Sequence, residues 1–256
     1  MIKIKIKRKF LITFLVFLFF AIPFTCYAES WYVCRNKNEQ PKLDSTLSIV
    51  NNYDGVFYVD RNATEEDKVI YLTFDAGYEN GNVEKILDIM KEHNAKGAFF
   101  VLDNLIIKET ELVKRMAQEG HLVCNHTAKH NDMSKITDKT TFVEKLTALE
   151  DIYCEYTGQD MPKIYRPPEG KFSKQNLEWL EELGYKTIFW SFAYADWDNN
   201  KQPSEDFAIS KIKENTHNGM IILLHPTSST NANIMDRLLT MWENEGYRFG
   251  SLDELK

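Results

Sequence analysis

The chain has 256 residues, 43% of them hydrophobic, and a formal net charge of −7. This length suffices for one α/β domain with a sizeable core. An acidic chain without an internal basic run argues against nucleic-acid binding, because the phosphate backbone requires contacts from Lys and Arg.

The N-terminal segment has the pattern of an export signal. Five basic residues lie within residues 3–9, and residues 10–24 form an almost uninterrupted apolar run that is followed by Cys26-Tyr27-Ala28. This order is typical of a secretory signal peptide cleaved after Ala28, and it predicts a protein that acts outside the cytoplasmic membrane. An uncleaved anchor is the alternative, because the run extended to Ala28 nearly reaches the roughly 20 residues of a membrane span. Residues 1–28 hold five of the 31 basic and none of the 38 acidic residues, so their removal leaves a net charge of −12.

Residues 29–68 mix polar and short apolar stretches. We expect them to be an N-terminal extension that packs on the main domain, residues 69–256. Three cysteines remain after the leader, namely Cys34, Cys124 and Cys154. An odd, sparse set does not indicate a disulfide framework, and Cys124 lies in a strand-like run where a buried apolar role is expected.

From residue 69 onward, strand and helix patterns alternate. Strands are predicted at 69–74, 98–101, 121–124, 163–165, 185–192 and 220–224, and helices at 83–93, 108–119, 139–156, 173–183 and 231–245. Ser204 is a predicted N-cap of a further helix. Repeated βα units imply a parallel sheet or barrel with helices outside, and the chemistry of such folds lies at the C-terminal strand ends.

Polar clusters follow these predicted strands. They are Thr73-Phe74-Asp75-Ala76-Gly77, His126-Thr127-Ala128-Lys129-His130, Arg166-Pro167-Pro168-Glu169-Gly170, Asp196-Trp197 and Leu223-Leu224-His225. Two imidazoles four residues apart are suitable ligands for one Zn²⁺ ion. Taken singly, the histidines also fit surface loops and the acid fits a turn, so the prediction of one active site depends on the whole set.

The ordered clusters resemble the polysaccharide deacetylases of the NodB-homology group, whose motifs are T-F-D-D-G, H-[S/T]-x-x-H, R-x-P-x-G, D-x-x-D-W and L-x-H. The similarity covers about residues 69–250. The stretches 77–81 and 166–170 are most similar to those of the de-N-acetylases that act on muramic acid in δ-lactam biosynthesis for the spore cortex. The resemblance implies a distorted (β/α) barrel with its active site at the C-terminal strand ends.

The resemblance also assigns roles to the residues. Asp75 would be the general base, and His126 and His130 would hold a divalent metal, with Zn²⁺ expected. His225 would be the general acid that protonates the departing amine, supported by Asp196. Arg166 would pair with Asp75 and keep it ionised. The implied substrate contacts are Tyr78, whose backbone would steady the oxyanion, Pro167, Lys171, Trp197 and Leu224.

Two positions depart from the family pattern. The second aspartate of the first motif, normally a metal ligand, is Ala76, and the first aspartate of D-x-x-D-W is Ala193. Alanine cannot bind a metal, so the ion would bind more weakly, keep an extra water or recruit Glu79 or Asn80. The complete acid–base set nevertheless favours an active enzyme.

The expected reaction is hydrolysis of the N-acetyl group of muramic acid in peptidoglycan, with Lys171 as a candidate partner for the lactyl carboxylate. A peptide-stripping amidase would act first, and we expect a monomer. Deacetylation of N-acetylglucosamine, in peptidoglycan or a chitin-like polymer, is the enzymatic alternative. A wall-glycan-binding protein without turnover is an alternative of another class, favoured by Ala76. An anchored structural wall protein would not explain the polar clusters.

Overall fold

The structure is a computed structural model that describes residues 28–256. The predicted signal peptide therefore lies almost wholly outside the described residues. Within residues 28–256, no helix is long and apolar enough to cross a membrane.

The predicted alternation of strands and helices after residue 69 is confirmed. The strands are β1 (Ala28–Ser30), β2 (Cys34–Asn36), β3 (Glu39–Lys42), β4 (Val56–Phe57), β5 (Val69–Ala76), β6 (Gly97–Val101), β7 (Leu122–Asn125), β8 (Ile164–Tyr165), β9 (Lys171–Ser173), β10 (Lys186–Ile188), β11 (Phe192–Ala193), β12 (Met220–Leu224) and β13 (Arg248–Phe249). The helices are α1 (Asn82–Glu92), α2 (Asp103–Lys108), α3 (Thr110–Gln118), α4 (Lys139–Thr157), α5 (Lys174–Glu182), α6 (Glu205–Lys213) and α7 (Ser229–Asn244). Short 3-10 turns span Leu47–Asn52, Met133–Lys135, Pro168–Gly170 and Leu252–Glu254.

The main sheet is parallel, in the order β11-β12-β5-β6-β7-β8-β10-β4, with β13 beside the first residues of β5. Strands β10 and β11 lie at or near opposite ends of this order, yet only residues 189–191 separate them in sequence. A chain advances at most about 3.5 Å per residue, so the two ends of the sheet lie within roughly 14 Å of each other. The sheet is therefore curled into a barrel, and residues 189–191 cross its seam.

Each strand divides its side chains between the two faces of the curled sheet. On β5, Ile70, Leu72 and Phe74 pack in the large apolar cluster that also holds α1 and α7 side chains, whereas Tyr71 packs in a second cluster with Phe100. Burying each such side chain contributes about 1.5–3 kcal/mol. Thr73 and Asp75 have the same parity as Tyr71, so they lie on the inner face, toward the C-terminal end of the strand.

The structure changes the bounds of two predicted elements and adds elements that were not predicted. The helix predicted at 108–119 is α3 and begins at Thr110, because the chain bends at Glu109, and the preceding helix α2 was not predicted. The strand predicted at 185–192 is broken into β10 and β11, which pair with different neighbours across the seam. The two-residue strand β13 was not predicted, since so short a segment leaves no periodic signal.

Residues of the extension contact the main domain at several places. Strand β4 pairs in parallel with β10 at the sheet edge, and β1 pairs antiparallel with β9. Trp31, Leu47 and Val50 form an apolar cluster with Phe189. The three described cysteines are free thiols, and Cys124 is fully buried as expected.

Candidate active site

The centre of the site is an ion pair between Asp75, near the end of β5, and Arg166, just after β8. Arg166 is fully buried, and its Nη1 donates to Asp75 Oδ1 at 2.8 Å. Its other donors reach Thr73 Oγ1 at 2.7 Å and the carbonyls of Ile188 (3.1 Å) and Phe189 (3.3 Å). Every branch of the guanidinium therefore has an acceptor, which fixes its orientation toward Asp75.

The charge state of Asp75 follows from this environment. Burial alone would raise the pKa of Asp75, but the attraction of the carboxylate to protonated His126, to Arg166 and to protonated His225 outweighs burial and lowers it. Burial also lowers the pKa of His126 to about 4, so His126 is neutral at pH 7. The Arg166 guanidinium is consequently the main charge that keeps the Asp75 carboxylate ionised at neutral pH.

His126, directly after β7, faces Asp75 in a defined tautomer. Its Nδ1 lies 2.9 Å from the Arg166 carbonyl oxygen, which can only accept, so Nδ1 carries the proton. Its Nε2 lone pair is then directed into the site, 3.4 Å from Asp75 Oδ2. Both atoms carry lone pairs, so their close approach favours a cation or a shared proton between them.

The loop after β7 brings the two histidines of the pair together. Asn125 accepts from the Thr127 N–H at 2.9 Å, and Thr127 Oγ1 accepts from the Asn131 N–H at 3.0 Å. Thr127 (φ 64°) and His130 (φ 54°) both adopt left-handed backbone conformations, which are costly for a β-branched residue and are typical of functional loops. The imidazole centroids of His126 and His130 are 5.0 Å apart. The predicted pair is therefore brought together in space.

The donor set suits a divalent cation only in part. His126 and His130 offer two imidazoles, but within residues 28–256 no group of three or more His, Cys, Asp and Glu side chains is arranged to hold a metal. Ala76 is buried in the apolar cluster and supplies no oxygen. Both oxygens of Glu79 accept from N–H groups at the start of α1, those of Gly81 and Glu84. The Glu79 carboxylate therefore caps this helix, and its suggested recruitment stays a prediction that these contacts do not support.

The other suggested oxygen donor, Asn80, is also engaged elsewhere. Its Nδ2 donates to the Thr227 carbonyl at 2.9 Å, and its Oδ1 accepts from the Asn82 N–H at 3.3 Å. The two histidines are thus the protein groups that would hold an ion.

Across the site, His225 follows β12 and pairs with Asp196. Its Nδ1 donates to Asp196 Oδ1 at 2.7 Å, and its backbone N–H donates to Asp196 Oδ2 at 2.8 Å. Asn231, in the first turn of α7, donates to Asp196 Oδ2 at 2.6 Å and to the His225 carbonyl at 3.1 Å. The Tyr194 hydroxyl donates to the Asn231 side-chain carbonyl and fixes the orientation of that amide. The Asp196 carboxylate is fully buried and held by three donors.

The His225 imidazole is suited to proton donation. Burial lowers its pKa, but the hydrogen bond from Nδ1 to Asp196 and the charges of Asp196 and Asp75 raise it by more. The net pKa lies above the ordinary value, so a larger fraction of His225 is protonated near neutral pH. Its side chain is 27% exposed, and because Nδ1 is bonded to Asp196, Nε2 is the ring nitrogen left for a substrate.

Two of the predicted substrate contacts have exposed side chains. Tyr78 is 44% exposed, and its hydroxyl contacts the side-chain amide of Asn199. Trp197 is 66% exposed and lines a cleft of about 440 Å³ together with Lys201, Pro203 and Phe207. An exposed indole beside a cleft is a suitable surface for a sugar ring.

The remaining predicted contacts lie in different surroundings. Pro167 is buried directly after Arg166. Lys171, at the start of β9, places its Nζ 2.7 Å from Glu169 and 3.8 Å from Asp132. Its ammonium is thus already paired with carboxylates.

The assignment of Leu224 to the sugar groove is wrong. Leu224 is fully buried in the apolar cluster with Leu72 and Phe74, on the outer face of the sheet. Leu223 pairs in register with Thr73 and therefore lies on the same face as Asp75. The choice between two adjacent leucines depends on strand parity, which the motif alone does not give.

Three further residues of the site were given no role by the sequence analysis. Thr73 accepts from Arg166, Phe100 lies under the guanidinium at 4.1 Å, and Asn231 supports Asp196. Thr73 was visible as the first residue of its motif. Asn231 had no such signal, because it follows the last motif by six residues and reaches the site only through the turn into α7.

The comparisons with known proteins agree with this geometry. The profile of the polysaccharide deacetylase family matches residues 62–188. The peptidoglycan-N-acetylmuramic acid deacetylase PdaA of Bacillus subtilis is 37% identical over 228 residues, covering 88% of this chain and 85% of the relative. A peptidoglycan-N-acetylglucosamine deacetylase of Bacillus cereus is 30% identical over 233 residues, covering 88% of this chain and 82% of the relative.

The fold is matched as well. The solved structure of Bacillus subtilis PdaA, a family 4 carbohydrate esterase, has a TM-score of 0.82 and 34% identity, covering 89% of this chain and 96% of that one. The predicted distorted barrel with its site at the C-terminal strand ends is confirmed. The chain belongs to the polysaccharide deacetylase family, hydrolases that cleave the N-acetyl amide bond of amino sugars.

Proposed function

We propose that this protein removes the N-acetyl group from muramic acid residues of peptidoglycan. The observation that carries the proposal is the presence of two differently tuned groups in one site, directly after the paired residues Phe74 and Leu224 of the neighbouring strands β5 and β12. Asp75 is kept ionised by Arg166, and His225 is kept protonatable by Asp196. Such a pair provides one base and one acid for amide hydrolysis.

In the first step, the Asp75 carboxylate accepts a proton from a water molecule that attacks the acetamide carbonyl carbon. The carbonyl π-bond opens, and its electron pair moves onto oxygen to give a tetrahedral oxyanion. Arg166 holds Asp75 in place, and the backbone near Tyr78 is the proposed donor to the oxyanion. The proton stays on Asp75 at the end of this step.

In the second step, His225 donates its Nε2 proton to the sugar nitrogen. The oxyanion electron pair re-forms the carbonyl as the carbon–nitrogen bond breaks, which releases the free amino sugar and acetic acid. Acetic acid loses its proton to give acetate, Asp75 returns its proton to solvent, and His225 is reprotonated from solvent. Asp196 stabilises the imidazolium before transfer and holds the ring in the tautomer that leaves Nε2 toward the groove. Arg166, Asp196 and Asn231 do not exchange protons with the substrate.

His126 and His130 are the proposed holders of a divalent metal, with Zn²⁺ as the proposed ion. When bound, such an ion supplies Lewis-acid polarisation of the carbonyl and lowers the pKa of a water molecule. The free Nε2 of His126 and its 5.0 Å ring separation from His130 suit this role. Since Ala76 replaces the usual carboxylate ligand, we expect weaker binding than a site with three protein ligands gives.

The preference for muramic acid is supported by the similarity to PdaA and by the stretches 77–81 and 166–170. Muramic acid differs from N-acetylglucosamine by its lactyl carboxylate, for which Lys171 is the proposed cationic partner. The free amine and this carboxylate would then form the δ-lactam of the spore cortex, after an amidase has removed the peptide. The similarity to the Bacillus cereus enzyme favours N-acetylglucosamine as the alternative substrate.

We further propose that the protein acts as a monomer outside the cytoplasmic membrane. The N-terminal charge and hydropathy pattern supports export, since a basic segment followed by an apolar run directs secretion.

The test is acetate release from peptide-stripped peptidoglycan, with EDTA treatment and Zn²⁺ add-back. We expect metal-dependent release by the wild type and none by Asp75→Asn, whereas Asp236→Asn, an exposed acid on α7, should match the wild type. Mass analysis of the digested glycan shows whether the free amine is on muramic acid or on glucosamine. Binding of the glycan without acetate release at any metal concentration would instead show a binding protein that lacks turnover because of Ala76.

A further inference from the structure

Trp31 lies in the extension, three residues after the predicted cleavage site, and is buried against the barrel seam. Its backbone N–H donates to the Gly170 carbonyl at 2.9 Å, and its indole Nε1 donates to the Trp190 carbonyl at 2.9 Å. The indole also stacks on Phe189, with ring centroids 4.4 Å apart and planes 22° apart. One side chain thus contacts the seam by both stacking and a hydrogen bond.

The seam segment that Trp31 holds is the same one that orients Arg166. Arg166 Nε donates to the carbonyl of Ile188, and Nη2 donates to the carbonyl of Phe189. The Trp190 ring lies 5.7 Å from the guanidinium carbon. Because these acceptors belong to residues 188–190, a shift of the seam would move the guanidinium away from Asp75.

Trp31 also contacts the loop that carries the Arg166 backbone. Gly170 has φ +65°, and a Cβ added to it would lie 2.7 Å from Trp31 Cβ and 2.9 Å from the Trp190 ring. Next to it, β1 pairs with β9 through Ser30 and Lys171. Trp31 therefore sits between the loop that bears Arg166 and the seam that receives its hydrogen bonds.

We propose that Trp31 is a positioning residue for Arg166. The segment that begins with β1 thereby helps to fix the geometry of the active site. The inference rests on the proposed function only in that Arg166 orients Asp75 during deacetylation. Trp31 touches no reacting atom and acts through Arg166.

The kinetic test compares Trp31→Ala, Trp31→Phe and a control, Leu47→Ala, well below their unfolding temperatures. Leu47 is fully buried in the same apolar cluster and donates no hydrogen bond to residues 188–190. We expect Trp31→Ala to lower kcat by roughly 10- to 100-fold with KM little changed, since small misplacements of catalytic groups cost rates of this order. Trp31→Phe keeps the stacking and should recover most of the loss, and Leu47→Ala should keep kcat near the wild-type value.

A double-mutant cycle separates positioning from general damage. In an Arg166→Lys background, Trp31→Ala should lower kcat by less than about twofold, because the two changes act through one group. Multiplicative effects on kcat would overturn the proposal, and so would equal kcat losses in Trp31→Ala and Leu47→Ala.

Hydrogen exchange gives a readout that does not depend on turnover. Trp31→Ala should speed amide exchange in peptides covering residues 164–173 and 186–192, and Leu47→Ala should leave both near the wild-type rate. If the wild type releases no acetate, the proposed function fails, and faster exchange in Trp31→Ala alone still supports the positioning role. Unchanged exchange in both peptides would refute that role whatever the activity.

Discussion

Replacing Asp196 with Asn tests the acid half of the proposed mechanism. The Asp196 carboxylate accepts two N–H groups at Oδ2, from His225 and Asn231, and one from the His225 ring at Oδ1. In Asp196→Asn, the amide oxygen would take the Oδ2 position, where two donors require an acceptor. The amide NH₂ would then face His225 Nδ1, which could no longer donate.

The consequence is a change in the tautomer and in the pKa of His225. The ring would be neutral with its proton on Nε2, and its pKa would fall because Asp196 no longer stabilises the imidazolium. Loss of general acid catalysis costs about 10²- to 10⁴-fold in rate, or roughly 2.7–5.4 kcal/mol of transition-state stabilisation. A general acid loses activity as pH rises through its pKa, so the alkaline limb of the kcat/KM profile should move to lower pH.

The assay is acetate release as a function of pH for the wild type, Asp196→Asn and Tyr194→Phe. Tyr194 contacts Asn231 rather than Asp196, so its variant should keep the position of the alkaline limb and lose little activity. An Asp196→Asn enzyme with wild-type kcat and an unmoved alkaline limb would refute the assignment of His225 as the acid.

Three further predictions concern stability and specificity. Burial lowers the pKa of His121 to about 4, so acidification below its unfolded value of 6.5 favours the unfolded chain. In urea unfolding, His121→Asn, whose side-chain oxygen can accept from the Gly97 N–H, should lose roughly 3 kcal/mol less stability than the wild type between pH 7 and pH 4. Equal losses of stability in the two proteins would contradict this prediction. Lys171→Ala should raise KM for muramic substrates more than for N-acetylglucosamine oligomers. The partly exposed ion pairs of Lys171 are weak enough to be exchanged for a substrate carboxylate. Equal changes in KM for the two substrates would exclude that contact. Leu224→Ala should lower the free energy of unfolding by about 2–5 kcal/mol and leave KM nearly unchanged. Leu223→Ala should reduce kcat/KM more than Leu224→Ala does. A larger loss of kcat/KM in Leu224→Ala would show that the assigned strand faces are wrong.

The pattern of the sequence was sufficient for the architecture and for locating the polar groups that the structure brings together. Alternation of apolar runs and helical periodicity depends on neighbours within a few residues, so the βα order after residue 69 was visible without a structure. The polar groups of the candidate site were equally visible, because Asp75, His126, Arg166 and His225 lie at the ends of predicted strands, and parallel strands bring their C-terminal ends together.

The tertiary structure alone decided which atoms meet. Arg166 and Asp75 are 91 residues apart, and their pairing depends on acceptors at the barrel seam that carry no motif. The Glu79 carboxylate is used as a helix cap, and the support of Asp196 by Asn231 comes from a turn outside every motif. Trp31 reaches the seam from the far end of the described chain. Contacts of this kind depend on the path of the whole backbone. They join residues that are distant in sequence and that meet only when the barrel closes, so local sequence patterns do not predict them.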